Sequence, residues 1–194
     1  TFIATTLGTL AALGLSRPHM PYKGLIMAIL ISPMIVPLII TAAGMFFFYA
    51  RINLVYTFTG VILAHVALAT PFVVITVTAT LVGFDMNMVK ASQSLGARPV
   101  RTFFKVIMPL ILPGVISGAL FAFITSFDEV VIVMFMASLD QLTIPKQMWA
   151  GIRQEISPVI LCMATCLVAL SIFLLTTVEL LRRRSEKLRG IKSR

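Results

Sequence analysis

The chain has 194 residues, 59% of them hydrophobic and only 12% charged, with a formal net charge of +9. A soluble domain carries about 25% charged residues, and several apolar stretches here reach the roughly 20 residues needed to cross a bilayer, so a soluble globular class is excluded. Neither strand-like alternation nor turn signals at barrel spacing occur, which argues against a membrane β-barrel and leaves an all-α, polytopic helical membrane protein.

In chain order, the apolar runs predict five spans. The first, TFIATTLGTLAALGL, covers about 1–15. It has no basic start or cleavage site, so it is not a signal peptide, and it reads as the end of a membrane segment, with one more span expected upstream of Thr1. The link SRPHMPYKG follows, then a second span over about 24–50, the turn RINLV, and a third span over about 55–82. A basic loop, 83–106, leads to a fourth span at about 107–137. The outer loop 138–157 precedes a fifth span at about 158–180, where Glu179 is expected to pair with Arg182 and Arg183. Residues 1–181 thus read as one transmembrane domain and 182–194 as a basic tail.

A net positive charge in a soluble protein would point to nucleic acid, but these cations border apolar spans. Thirteen of the sixteen Lys and Arg fall on one side, including Arg17, Lys23, Lys90, Arg98, Arg101, Lys105 and the tail, while Arg51, Lys146 and Arg153 fall on the other. The positive-inside rule then places loop 83–106 and the C-terminus in the cytoplasm; membrane lipid is the expected surrounding, and no nucleic-acid partner is expected. Cys162 and Cys166 lie four apart in an apolar run and read as small core residues, not as a metal pair, since further ligands are lacking nearby.

Loop 83–106 is long for a helix–helix link. DMNMVKASQSLGA predicts a short helix with Asp85 or Asn87 as N-cap, Gly96 near its end, and Val89, Ala91 and Leu95 as a modest apolar face. RPVRTFFKVIMP predicts a second helix with Pro99 in its first turn. On the residues alone, an interfacial basic helix resting on headgroups is the competing reading.

The stretch KASQSLGARPVRTFFKVIMPLILPG resembles the coupling-loop motif of binding-protein-dependent ABC importer permeases. Ala91 and Ser92 stand where that motif has two alanines, Gly96 matches its glycine, and Ile107 with Pro109 match its apolar-x-x-Pro end; Lys90 stands where the motif has an acid. The resemblance implies a type I importer transmembrane fold in a bacterial inner membrane. It also implies docking of Lys90, Ala91, Ser92, Gly96, Ala97, Arg98, Arg101 and Pro109 onto a separate ATPase dimer. A second, related permease subunit and an extracytoplasmic solute-binding protein complete the implied set of partners. The chain holds no G-x-x-x-x-G-K-[ST] phosphate loop, so it is not expected to be an enzyme or to hold a cofactor itself; ATP and magnesium would belong to the ATPase.

AFITSFDEVVIVMFMA carries an acid pair. Asp128 and Glu129 are followed by seven apolar residues, which predicts that both lie within the fourth span. A charge there costs about 2.5–3.5 kcal/mol on insertion scales, and such residues face a cavity or a partner. The bland alternative is that one acid pairs or is protonated while the other points to the interface. SFDEVV and the following LTIPKQMWAGIRQEISPVI are similar to the second permease subunit of spermidine/putrescine-type importers. That similarity implies a cationic amine as solute, with Ser126, Phe127, Asp128 and Glu129 along its path.

Lesser features have structural readings beside functional ones. His65 reads as a hydrogen-bonded helix contact more readily than as part of a transport path. Gly114 and Gly118 form a GxxxG that permits close packing. Trp149 reads equally as an interface anchor and as part of a binding-protein docking surface. Competing function classes are a permease for another small organic solute, such as an amino acid derivative, and an ion channel or secondary transporter using the two acids as a cation ring. An intramembrane protease would need G-x-S-G with a partnered His, or H-E-x-x-H, and neither is present.

Overall fold

The computed structural model describes residues 1–17, 20–154 and 158–188, and all regular structure among them is helical. In chain order the helices are α1 (Phe2–Leu15), α2 (Lys23–Ile35), α3 (Leu38–Arg51), α4 (Phe58–Val82), α5 (Asn87–Ser94) and α6 (Pro99–Thr102). A π-turn (Phe103–Ile107) leads into α7 (Met108–Phe127), followed by α8 (Val131–Met136), α9 (Ile144–Gln154) and α10 (Pro158–Leu188).

Helix α4 is the axis of the bundle. Thr57 starts it from an extended backbone, its Oγ1 accepting the Gly60 N–H at 3.0 Å, the usual way of satisfying an orphan first-turn donor. Helices α1 and α7 both pack on α4 and on each other. Close approach is possible because glycines face a β-branched wedge. A Cβ on Gly8 would lie 2.6 Å from Val73 Cβ, and one on Gly118 would lie 2.9 Å from Val73 Cα. Gly114 likewise meets Thr76 and Thr80 of α4. Thr76 and Thr80 return their hydroxyls to carbonyls one turn back, Phe72 O and Thr76 O, both at 2.9 Å, so the helix contact leaves no polar cost at these positions. The GxxxG therefore serves packing.

Two of the expected spans are not single straight helices. The apolar run 24–50 is split at Pro37 into α2 and α3, which meet at 107°. Proline offers no N–H to continue a helix and drives the residue before it out of the helical region; Val36 is extended, with φ −71° and ψ 137°. The run 107–137 is also broken, as described below. Helix α1 has 14 residues, about 21 Å at 1.5 Å per residue, shorter than a hydrocarbon core of about 30 Å. Three helices are long and apolar enough to cross a membrane among the described residues, or four if the bent α2–α3 pair counts as one span.

Other expectations are corrected in detail. The second helix of the basic loop is not a separate interfacial element but runs without a gap from Pro99 through the π-turn to Phe127. Pro109 cannot return an N–H to the Lys105 carbonyl four residues back, which favours the wider turn there; the Met108 N–H bonds the Phe103 carbonyl instead. Cys162 and Cys166 are exposed on α10 rather than in a core. Helix α10 continues past the predicted span end to Leu188, while 189–194 and the predicted Glu179 pairing with Arg182 and Arg183 fall outside the described residues and side chains.

Replacing Gly118 with Leu should force α7 away from Val73 and lower the thermal unfolding midpoint of the detergent-purified protein. Overpacking of this kind costs about 1–3 kcal/mol. Gly44→Ala, where an added Cβ meets nothing within 4 Å, should leave the midpoint unchanged or raise it slightly.

Candidate functional site

Two places gather the residues singled out by the sequence, one at each end of the continuous helix from Pro99 to Phe127.

At its start, α5 ends in a tight corner. Gly96 has φ +77°, a left-handed conformation that L side chains avoid. The Gly96 N–H bonds the Gln93 carbonyl at 2.9 Å and the Ala97 N–H bonds the Ser92 carbonyl at 3.1 Å, which is the paired Schellman closure. The N-cap of α5 is Met86, without a side-chain cap, rather than Asp85 or Asn87 as expected; Asp85, one position earlier, accepts the Asn87 N–H at 2.9 Å. Ser92 reaches across the corner to Thr102, the two hydroxyls 2.9 Å apart, and Thr102 is buried. This hydrogen bond ties α5 to the base of the long helix. Ala91, Ser92, Gly96, Ala97 and Arg101 line one groove of about 620 Å³; Lys90, Arg98 and Pro109 lie outside its wall. Of the predicted apolar face, Val89 is half-buried, while Ala91 and Leu95 are exposed and border this groove.

At the other end the helix stops short of where the apolar pattern predicts. The Asp128 N–H still bonds the Ile124 carbonyl at 3.2 Å, but Val130 takes φ −115° and ψ −35° and α8 starts afresh at Val131. Glu129 explains how the break is tolerated. Its carboxylate accepts the Ile132 N–H at 2.8 Å, serving the first turn of α8 as an acid serves any helix start. It is 7% exposed. At the other end of α8, Lys146 Nζ donates to the Ala137 and Ser138 carbonyls at 3.2 and 3.3 Å. The Met136 carbonyl accepts the Tyr56 N–H at 2.9 Å. Ile132 and Met136 of α8 pack with Ala42 of α3 and with Ala64 and Leu68 of α4. A short helix is thus fixed at both ends by charges of the sign its dipole prefers.

The break separates the four residues predicted to act together. Asp128 is exposed and, with Phe127, forms part of the wall of a cavity of about 470 Å³ closed by α9 and α10. Glu129 is turned inward to α8 and does not line that cavity. Ser126 faces α4, its hydroxyl 2.9 Å from His65 Nδ1, so His65 is a helix-to-helix contact. Phe127 stacks on Phe123 with centroids 5.2 Å apart. Sequence reasoning missed two participants. Lys146 gives no signal of capping a helix it follows by nine residues, and Trp149, read as an anchor or a docking residue, stands in the cavity wall beside Asp128.

Comparisons with known proteins bear on both ends. The family described as binding-protein-dependent transport system inner membrane component matches residues 4–187. The spermidine/putrescine transport system permease protein PotC of Haemophilus influenzae is 31% identical over 183 residues, covering 94% of this chain and 71% of that protein. The putrescine transport system permease protein PotI of Escherichia coli K12 is 35% identical over 103 residues, 53% of this chain and 37% of that protein. In fold, the chain is similar to a solved structure of the MetNI methionine ABC transporter in an inward-facing conformation, with a TM-score of 0.68 over 99% of this chain and 89% of that one, at 19% identity.

Glu129→Ala should remove the acceptor for the Ile132 N–H and lower stability by about 1–2 kcal/mol, the size of a lost helix cap. Glu129→Gln keeps a carbonyl oxygen at that point and should recover most of the loss, as read by thermal unfolding of the purified protein.

Proposed function

This chain belongs to the family of binding-protein-dependent transport system inner membrane components, and from that premise we propose that it is one transmembrane half of an ATP-driven importer for a polyamine. The observation that carries the amine reading is Asp128: an exposed carboxylate at the broken end of a membrane helix, opening on a cavity whose other walls are almost wholly apolar. An anion facing such apolar walls at membrane depth is costly without a cation, and a flexible chain of methylenes between ammonium groups matches both the charge and the walls. The names of PotC and PotI, which concern spermidine and putrescine, support the same solute class.

The reading has four parts. Solute arrives from an extracytoplasmic binding protein and passes Asp128. A second, related permease subunit supplies the other half of the path. The groove at Ala91, Ser92, Gly96 and Arg101 receives an ATPase subunit, which binds ATP and magnesium; this chain makes and breaks no bond. The bias of cations toward loop 83–106 and the tail supports an orientation with the groove and the C-terminus in the cytoplasm and the Asp128 cavity toward the outside. Alternating access then consists of closing the cavity end when the groove end is drawn in, and the reverse.

The test is ATPase activity of the assembled complex in lipid, with its binding protein, across amines, neutral amino acids and anions. Spermidine or putrescine should stimulate hydrolysis. Asp128→Asn should raise the half-saturating amine concentration about tenfold or more, the size expected for a lost hydrogen bond to a charged group, with the ATPase still co-purifying. Stimulation by a neutral or anionic solute and not by amines would overturn the polyamine assignment.

A further inference from the structure

The Asp128 cavity raises a question of charge. A polyamine carries at least two ammonium groups, yet among the described residues the wall holds one carboxylate and no second acid. Apolar side chains such as Phe127, Met148 and Val168 suit the methylenes, and Ser171 adds one neutral hydroxyl but no charge for the second cation. Trp149 lies in the same wall and is 44% exposed. Its ring already holds a cation: Arg153 Cζ lies 5.5 Å from the indole centroid. The two side chains are four residues apart on α9, the spacing that stacks neighbours on one helix face, and 5.5 Å is within the roughly 6 Å over which an indole attracts a cation.

The geometry points to an exchange at this ring: Trp149 is the subsite for the second ammonium group of the solute, and Arg153 is the resident cation that leaves the indole when the amine arrives. The identity of the solute rests on the function proposed above; the exchange itself rests on the Trp149–Arg153 contact and its place beside Asp128. Arg153 has a second place to go, because it sits in the last turn of α9, where the terminal carbonyls attract a cation. An internal competitor has a defined consequence. Apparent affinity falls by the fraction of time that Arg153 occupies the ring, so affinity is traded for easier release. It also selects against monoamines, which Asp128 satisfies alone and which gain nothing from displacing Arg153.

Uptake by the assembled complex in liposomes tests this, with spermidine and a monoamine of similar carbon count as solutes. Arg153→Gln should lower the half-saturating spermidine concentration about threefold, and Trp149→Leu should raise it about tenfold, the range spanned by exposed and desolvated cation–π contacts. Trp149→Phe, which keeps a weaker ring and a similar shape, should fall between wild type and Trp149→Leu. The monoamine should respond to none of the three. Trp149 is the only tryptophan of this chain, so the emission difference between wild-type and Trp149→Phe complexes isolates its indole, and that difference should shift on adding spermidine. An unchanged spermidine half-saturation in Arg153→Gln, with import intact, overturns the exchange and leaves the polyamine function standing. Import of no amine by the wild-type complex overturns both.

Discussion

A backbone that leaves the helical path inside an apolar medium must find partners for every N–H and C=O it frees, because lipid supplies none. The rest of this structure depends on how that constraint is met between Asp128 and Ser138. Helix α7 ends, and six residues of a new helix begin within a few positions. Glu129 takes the first-turn N–H of Ile132, the Tyr56 N–H takes the Met136 carbonyl, and Lys146 takes the Ala137 and Ser138 carbonyls just past the helix end. Without Glu129 the Ile132 N–H at the start of α8 loses its acceptor close to Ala42, Ala64 and Leu68. With these bonds, the chain can stop one helix, present Asp128 outward and turn back toward α9.

The placement of that break depends in turn on the glycine contacts below it. Val73 is fully buried, with Gly8 of α1 on one approach and Gly118 of α7 on another. Nine residues above Gly118, α7 ends at Phe127, and the Ser126 hydroxyl is 2.9 Å from His65 on the same α4 that carries Val73. Two contacts of different kinds therefore fix the register of α7 on α4. Shape fixes it at Val73, and a polar bond fixes it at His65. Together they decide which residues stand at the rim, so that Asp128 and Phe127 border the cavity while Ser126 faces inward.

Much of this was legible in the sequence because the signals are local. The glycine corner of the basic loop follows from one residue type that tolerates φ +77°, and Pro99 marks a helix start by chemistry that does not depend on distant contacts, whereas the start of α5 falls at Met86 and not on either expected cap. The GxxxG of α7 announces a close contact without naming its partner. The breaks were not legible in the same way. Apolar periodicity runs through Pro37 and through Val130, and a hydropathy reading joins whatever is continuous. Pro37 was a visible breaker, yet transporter helices also continue through prolines, as α4 does at Pro71 and α7 at Pro113. At 128–130 no proline or glycine stands at all. The acid pair itself was the signal, and its two members differ only in which one tertiary packing turns inward. Adjacent residues point about 100° apart on a helix, so sequence could foresee different surroundings for Asp128 and Glu129 but not which acid would cap and which would face the cavity.

The two ends of the site share one piece of backbone, and that has mechanical weight. From Pro99 to Phe127 the helix runs 29 residues without interruption, about 43 Å at 1.5 Å per residue. A helix is stiff along its axis, so a displacement at the Ser92–Thr102 bond reaches the Asp128 rim without needing a chain of side-chain contacts to carry it. Bending is another matter. The π-turn at Phe103–Ile107 lies close to the loop end, where the hydrogen bonds are longer-ranged and the phenyl rings of Phe103 and Phe104 meet edge to face at 5.0 Å. Compliance is therefore concentrated within the first turns above the corner, below the glycine contacts at Gly114 and Gly118 that hold the rest of α7 to α4. On the proposed function, a pull on the groove would be absorbed in part as bending at the π-turn. The remainder would move α7 and its partner α4 as one body, and a body that carries both His65 and the Asp128 break can change the mouth of the cavity without changing its chemistry.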